Sequence, residues 1–111
     1  MNLLFSKIKK SLSLLLKKEK SSKGLWKYLI NNPEKMYMTE AKGKVFKVVI
    51  QDNFYKILRI DDNKKFYVKQ RFEKANLLDA FELKPLCLAD ISEKTRGASY
   101  CYAIIKDYLN S

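Results

Sequence analysis

Three segments rich in β-branched and aromatic residues, separated by short turns, constrain the fold of this 111-residue chain more than any other feature. The segments are residues 44–50, 54–60 and 65–72, and the breaks contain Asp52-Asn53 and the run Asp-Asp-Asn-Lys at 61–64. Branched and aromatic side chains favour strands, and Asp and Asn favour two-residue hairpin loops. The pattern therefore predicts a three-stranded antiparallel meander.

Two-residue turns at Asp52-Asn53 and Asp62-Asn63 also predict which residues lie opposite each other. The first turn predicts the pairs Ile50–Tyr55, Val48–Ile57 and Phe46–Arg59, and the second predicts Arg59–Phe66, Ile57–Val68 and Lys56–Lys69. One face is then apolar, and we expect it to form the core: Phe46, Val48, Ile50, Tyr55, Ile57, Phe66 and Val68. A slip of one residue in either turn would exchange the two faces.

The other face of the predicted sheet combines cations with aromatic and aliphatic side chains. Its candidate nucleic-acid-binding residues are Lys47, Lys56, Lys65, Tyr67, Lys69 and Arg71, with Val45, Val49, Phe54 and Leu58 between them. A bound phosphate would relieve repulsion between like charges on adjacent strands, and aromatic rings can stack on bases. Two alternatives stay open: the lysines only protect the sheet against edge pairing, or a helix covers Val49 and Leu58.

Positive charge is concentrated in two parts of the sequence. Of the formal net charge of +11, residues 1–27 carry +7 and residues 42–71 carry +6, whereas the two remaining stretches carry −1 each. Such a field attracts polyanions, either nucleic acid or an anionic membrane surface. Because lysine supplies 20 of the 23 basic residues, contacts with nucleic acid should favour the phosphate backbone over the bases. An AT-rich genome coding for an ordinary solvated surface would produce a similar composition.

Residues 1–20 have apolar side chains at helical spacing, which predicts a basic amphipathic helix that could be semi-independent of the rest of the domain. Its candidate residues for contact with a partner or a membrane are Lys7, Lys9, Lys10, Lys17 and Lys18. Because Lys9 and Lys10 interrupt the apolar run, the segment fits neither a secretory signal nor a transmembrane span. It could pack on the core, lie in a membrane interface, or dock on nucleic acid or a partner protein.

The rest of the sequence predicts further helices. Residues 25–30 favour a short helix with Trp26 as a core anchor, and residues 73–81 favour another before Pro85. Asp90 and Glu93 fit a capping box for a C-terminal helix containing Gly97, unless that helix begins near Ala98. We therefore expect one small α+β domain over residues 1–111: one or two N-terminal helices, a three-stranded antiparallel meander, and a C-terminal helix packed on one sheet face.

The sequence contains no catalytic or metal-binding motif of useful specificity. It has no histidine, and Cys87 and Cys101 lie in apolar surroundings, so we expect no metal or cofactor and read both cysteines as reduced core residues of a cytoplasmic protein. Asp79, Glu82 and Lys84 resemble the acid-acid-lysine set of metal-dependent nucleases, but they fall at a predicted helix end rather than on strands.

The leading expectation is thus a small non-enzymatic protein that binds nucleic acid through its phosphates. The runner-up is an adaptor or inhibitor, such as mobile elements encode, that engages an acidic protein surface. The third is peripheral membrane association through the first helix. No oligomeric state is predicted.

Overall fold

The computed structural model describes residues 20–93 and 95–111, which form an α+β arrangement with a four-stranded antiparallel sheet. The helices are α1 (Ser22–Asn31), α2 (Lys74–Glu82) and α3 (Ala98–Leu109), with a 3-10 turn at Leu88–Asp90. The strands are β1 (Met36–Met38), β2 (Val45–Gln51), β3 (Phe54–Asp61) and β4 (Lys64–Glu73), and they follow one another in the sheet in chain order. The fold class is confirmed, but the sheet has four strands rather than three. The additional strand β1 has only three residues, too few to show an alternating pattern.

The first hairpin has the predicted register. Phe46, Val48 and Ile50 of β2 lie opposite Arg59, Ile57 and Tyr55 of β3. Asp52 and Asp62, each the first residue of a two-residue loop, have φ angles of 51° and 45°. Tight hairpin loops need this left-handed conformation, which Asp tolerates better than most residues.

The second hairpin departs from the predicted register half-way along. Arg59 pairs with Phe66 as expected, but Lys56 lies opposite Arg71, not Lys69, because β4 has two additional residues opposite Ile57. A regular register would place the amide of Gln70 against Tyr55. The bulge instead places Phe72 there, and its ring stacks on Tyr55 at 5.4 Å between centroids. Burying an aromatic ring rather than an amide without a hydrogen-bond partner accounts for the irregular register.

The core lies between the predicted apolar face of the sheet and the three described helices. The helices contribute Leu25, Trp26, Leu29, Leu77, Cys101, Ile104 and Ile105, among others. The expected sheet residues Phe46, Val48, Tyr55 and Ile57 are buried, and Ile50 and Val68 are half-buried against them. Phe66 was expected in the core but is 45% exposed, because it lies near the β3–β4 turn. The Arg59 guanidinium lies over its ring, 5.4 Å from the centroid.

Two expectations near the C-terminus are wrong. Cys101 is buried, and burial raises its pKa to about 11, but Cys87 is exposed in the loop after α2. Asp90 does not cap α3; its carboxylate accepts hydrogen bonds from the backbone N–H groups of Leu86 and Cys87, which lower its pKa. The helix begins at Ala98, directly after Gly97.

The helix predicted over residues 1–20 lies outside the described residues, apart from Lys20.

Candidate functional site

The strand register places most of the candidate residues on one sheet face, opposite the side on which the described helices pack. We call it the basic face. Adjacent pairs across β2, β3 and β4 are Lys47–Leu58, Val49–Lys56, Lys56–Arg71, Leu58–Tyr67 and Ile60–Lys65. Lys69 is exposed but belongs to the bulged segment, where it pairs with no residue of β3. The structure thus brings Lys47, Lys56, Lys65, Tyr67 and Arg71 onto a common surface.

Lys56 and Arg71 form a like-charge pair directly across β3 and β4. Like charges in this position destabilise a sheet. Among the described residues, no carboxylate lies within ion-pair distance of either side chain. A like-charge cross-strand pair is therefore present, but its second member is Arg71 rather than the expected Lys69.

Each cation of this pair leans over an aromatic ring on a neighbouring position. The Lys56 ammonium lies 5.9 Å from the ring centroid of Tyr67, and the Arg71 guanidinium lies 4.5 Å from that of Phe54. These cation–π contacts separate the two charges and hold them beside the rings. Tyr67 remains 54% exposed, so its ring is accessible to a ligand.

Lys47 differs from the other cations because it already has an anionic partner. Its ammonium donates a hydrogen bond to Glu34 at 2.8 Å, and its side chain is only 18% exposed. The bond from Lys47 lowers the pKa of Glu34, and the positive charge of Lys65 lowers it further. Sequence reasoning missed Glu34, because its position relative to the sheet depends on the short strand β1.

The β1 side of the basic face is apolar. Met36 and Met38 are 57% and 61% exposed and lie beside Lys47 and Val45 of β2. The adjoining aliphatic side chains of β2 and β3 are half-buried: Val45, Val49, Leu58 and Ile60. No described helix covers these residues, so within the described part of the chain the face is open, with cations on one side and apolar groups on the other.

Other sequence candidates are not assembled into a site. Asp79, Glu82 and Lys84 lie at the end of α2 and in the turn after it, as expected. Within residues 20–93 and 95–111, no three His, Cys, Asp or Glu side chains are placed to hold a metal ion. The candidate lysines of the first helix, Lys7, Lys9, Lys10, Lys17 and Lys18, are outside the described residues. No helix in the described part of the chain is long and apolar enough to cross a bilayer.

Comparison with known proteins does not add a family to this description. The chain matches no family model, no curated protein and no solved structure at a significant level.

Proposed function

We propose that this is a small non-enzymatic protein that binds nucleic acid through phosphate contacts on the basic face. The observation that carries the proposal is the Lys56–Arg71 pair, two cations at directly opposed positions of β3 and β4 with no carboxylate partner among the described residues. A phosphate bound between the two positions would accept a charge-assisted hydrogen bond from each cation. Lys65 extends the cationic surface, exposed Lys69 lies in the adjoining bulge, and Tyr67 supplies a ring for stacking.

The binding mode follows from the kind of cations present. Lysine ammonium groups are point charges that bind phosphate oxygens without the planar fork that reads a base edge. Affinity should therefore depend little on sequence and strongly on salt. We place the protein in the cytoplasm, where the two free thiols, Cys87 and Cys101, would stay reduced.

Salt dependence tests this proposal directly. Replacing Lys56 or Arg71 with glutamine should lower the slope of log affinity against log salt by about 0.7 to 0.9 and weaken binding about fivefold at about 0.1 M salt, because one phosphate contact is lost. Fluorescence anisotropy of a labelled oligonucleotide measures both quantities. Lys23→Gln and Lys27→Gln are matched controls, since they remove exposed charges of α1 and should leave the slope nearly unchanged.

The remaining arms of the experiment separate the rival sites. Deletion of residues 1–20 should also spare the slope, and loss of binding on that deletion would assign the ligand to the N-terminal segment. Equal binding of a polyglutamate peptide and an oligonucleotide of matched charge would favour the runner-up function, an adaptor or inhibitor for an acidic protein surface. Purified protein free of nucleic acid, with no affinity for any oligonucleotide at low salt, would refute the proposal.

Glu34→Gln should strengthen nucleic-acid binding. The substitution removes a negative charge beside Lys65 and leaves the Lys47 ammonium without its carboxylate partner. Affinity should rise several-fold at low salt. The slope of log affinity against log salt should increase by up to about 0.7 to 0.9, the value for one additional phosphate contact. Glu93→Gln, a change of equal charge on an exposed loop residue, is the control. An unchanged slope in Glu34→Gln would show that Lys47 lies outside the path of the ligand.

A further inference from the structure

We infer that the ligand of the basic face is single-stranded nucleic acid rather than a duplex, an inference that rests on the proposed function. This face is divided laterally into a cationic part and an apolar part. Three cations with no carboxylate within ion-pair distance among the described residues lie on β4 and the adjacent position of β3: Lys56, Lys65 and Arg71. The apolar groups lie towards β1: Met36, Met38, Val45, Val49, Leu58 and Ile60. On the apolar side, Lys47 is paired with Glu34.

A single-stranded nucleic acid has the same division along its length. Its phosphates form one side and its bases, with their large apolar ring faces, form the other. A nucleic-acid strand laid along β4 would place its phosphates on the cations and its bases over the aliphatic surface of β2 and β3. A duplex presents phosphates at its outer surface and hides the faces of its bases, so the exposed methionines, Met36 and Met38, would stay in contact with water.

The two aromatic rings support the same ligand. Tyr67 of β4 pairs with Leu58 of β3, which is four residues along that strand from Phe54. The positions of the two rings are therefore about 13 Å apart along the strand direction. Each ring has a cation over it, Lys56 for Tyr67 and Arg71 for Phe54. Non-specific binders of single strands combine phosphate contacts with stacking of bases on aromatic rings. The alternation of ring and cation along this ribbon provides both kinds of contact.

The test compares three probes of about 12 nucleotides: an unstructured single strand, the corresponding duplex, and a single strand with the same phosphates in which most nucleotides are abasic. We expect the single strand to bind about tenfold more tightly than either of the others at equal salt. Tyr67→Leu should lower affinity for the single strand about tenfold and leave the abasic strand nearly unaffected, while Tyr67→Phe should retain binding. Thermal melts of both variants establish that this exposed position has not altered the fold.

The outcomes separate this inference from the proposed function. Equal affinity for the single strand and the duplex, or for the intact and abasic strands, would overturn the single-strand assignment and leave phosphate-directed binding in place. An equal loss in Tyr67→Leu on intact and abasic strands would likewise remove the stacking role. Failure to bind any of the three probes would overturn the proposed function itself.

Discussion

Replacing Gly97 with alanine should lower the free energy of unfolding by about 3 kcal/mol, a large part of the stability of a small domain. Gly97 precedes α3 with a φ angle of 63°, a conformation that disfavours a side chain. A Cβ atom there would lie 2.5 Å from Cε1 of Phe72, and that ring is buried against Tyr55. The ring cannot move away without disturbing the stack that the β4 bulge produces. Urea denaturation followed by circular dichroism measures the loss.

Gly43→Ala is the matched control for this prediction. Gly43 has a similar φ angle of 61°, but the nearest atom to a new Cβ would be the Met38 sulfur at 3.7 Å, an ordinary contact. We expect a loss of about 1 kcal/mol, from backbone strain alone. In a Phe72→Leu background, Gly97→Ala should have a smaller effect than in the natural protein, because the clashing ring atoms are absent. Similar losses in Gly43→Ala and Gly97→Ala would contradict the steric argument.

Lys56→Glu should make the protein slightly more stable and should greatly weaken its binding to nucleic acid. The new carboxylate would lie opposite Arg71, so a repulsive cross-strand pair becomes an attractive one, with a gain of about 0.5 kcal/mol in the free energy of unfolding. Binding should weaken by roughly 10- to 50-fold at about 0.1 M salt, because one phosphate contact is lost and a second is opposed. Urea denaturation and anisotropy titrations on the same preparation measure the two effects.

Lys27→Glu provides the control, since it makes the same change in net charge at an exposed position of α1. It should weaken binding by a few-fold at most. Opposite signs for stability and binding in Lys56→Glu alone would indicate that this lysine is present for a ligand rather than for the fold. If Lys56→Glu and Lys27→Glu weaken binding equally, net charge rather than the basic face governs the interaction.

Much of the sheet could be predicted from local patterns. The turns at Asp52-Asn53 and Asp62-Asn63 are short and chemically distinctive, so they determine the pairing of residues within a few positions of each loop. The β2–β3 register and the Arg59–Phe66 pair follow from them. Most residues of the basic face could be named for the same reason, because the bulge adds two residues and Arg71, beyond it, returns to the same side of the sheet.

The predictions that failed depend on contacts between distant parts of the chain. The bulge exists because Phe72 stacks on Tyr55, and no local pattern in β4 marks it. Glu34 reaches Lys47 only because the short strand β1 lies beside β2. Phe66 and Cys87 have sequence surroundings typical of buried residues but lie beyond the area that the described helices cover.

Alternation and turn chemistry act over a few residues, so local patterns alone were enough to predict the α+β class, the hairpins and the two faces of the sheet. Which cations have carboxylate partners, and which cross-strand pair is repulsive, depends on side chains brought together from separate segments. The pairing of Lys47 with Glu34 and the position of Lys56 opposite Arg71 became evident only in the folded chain. Packing of aromatic rings in the core thereby determines the arrangement of charge on the opposite face.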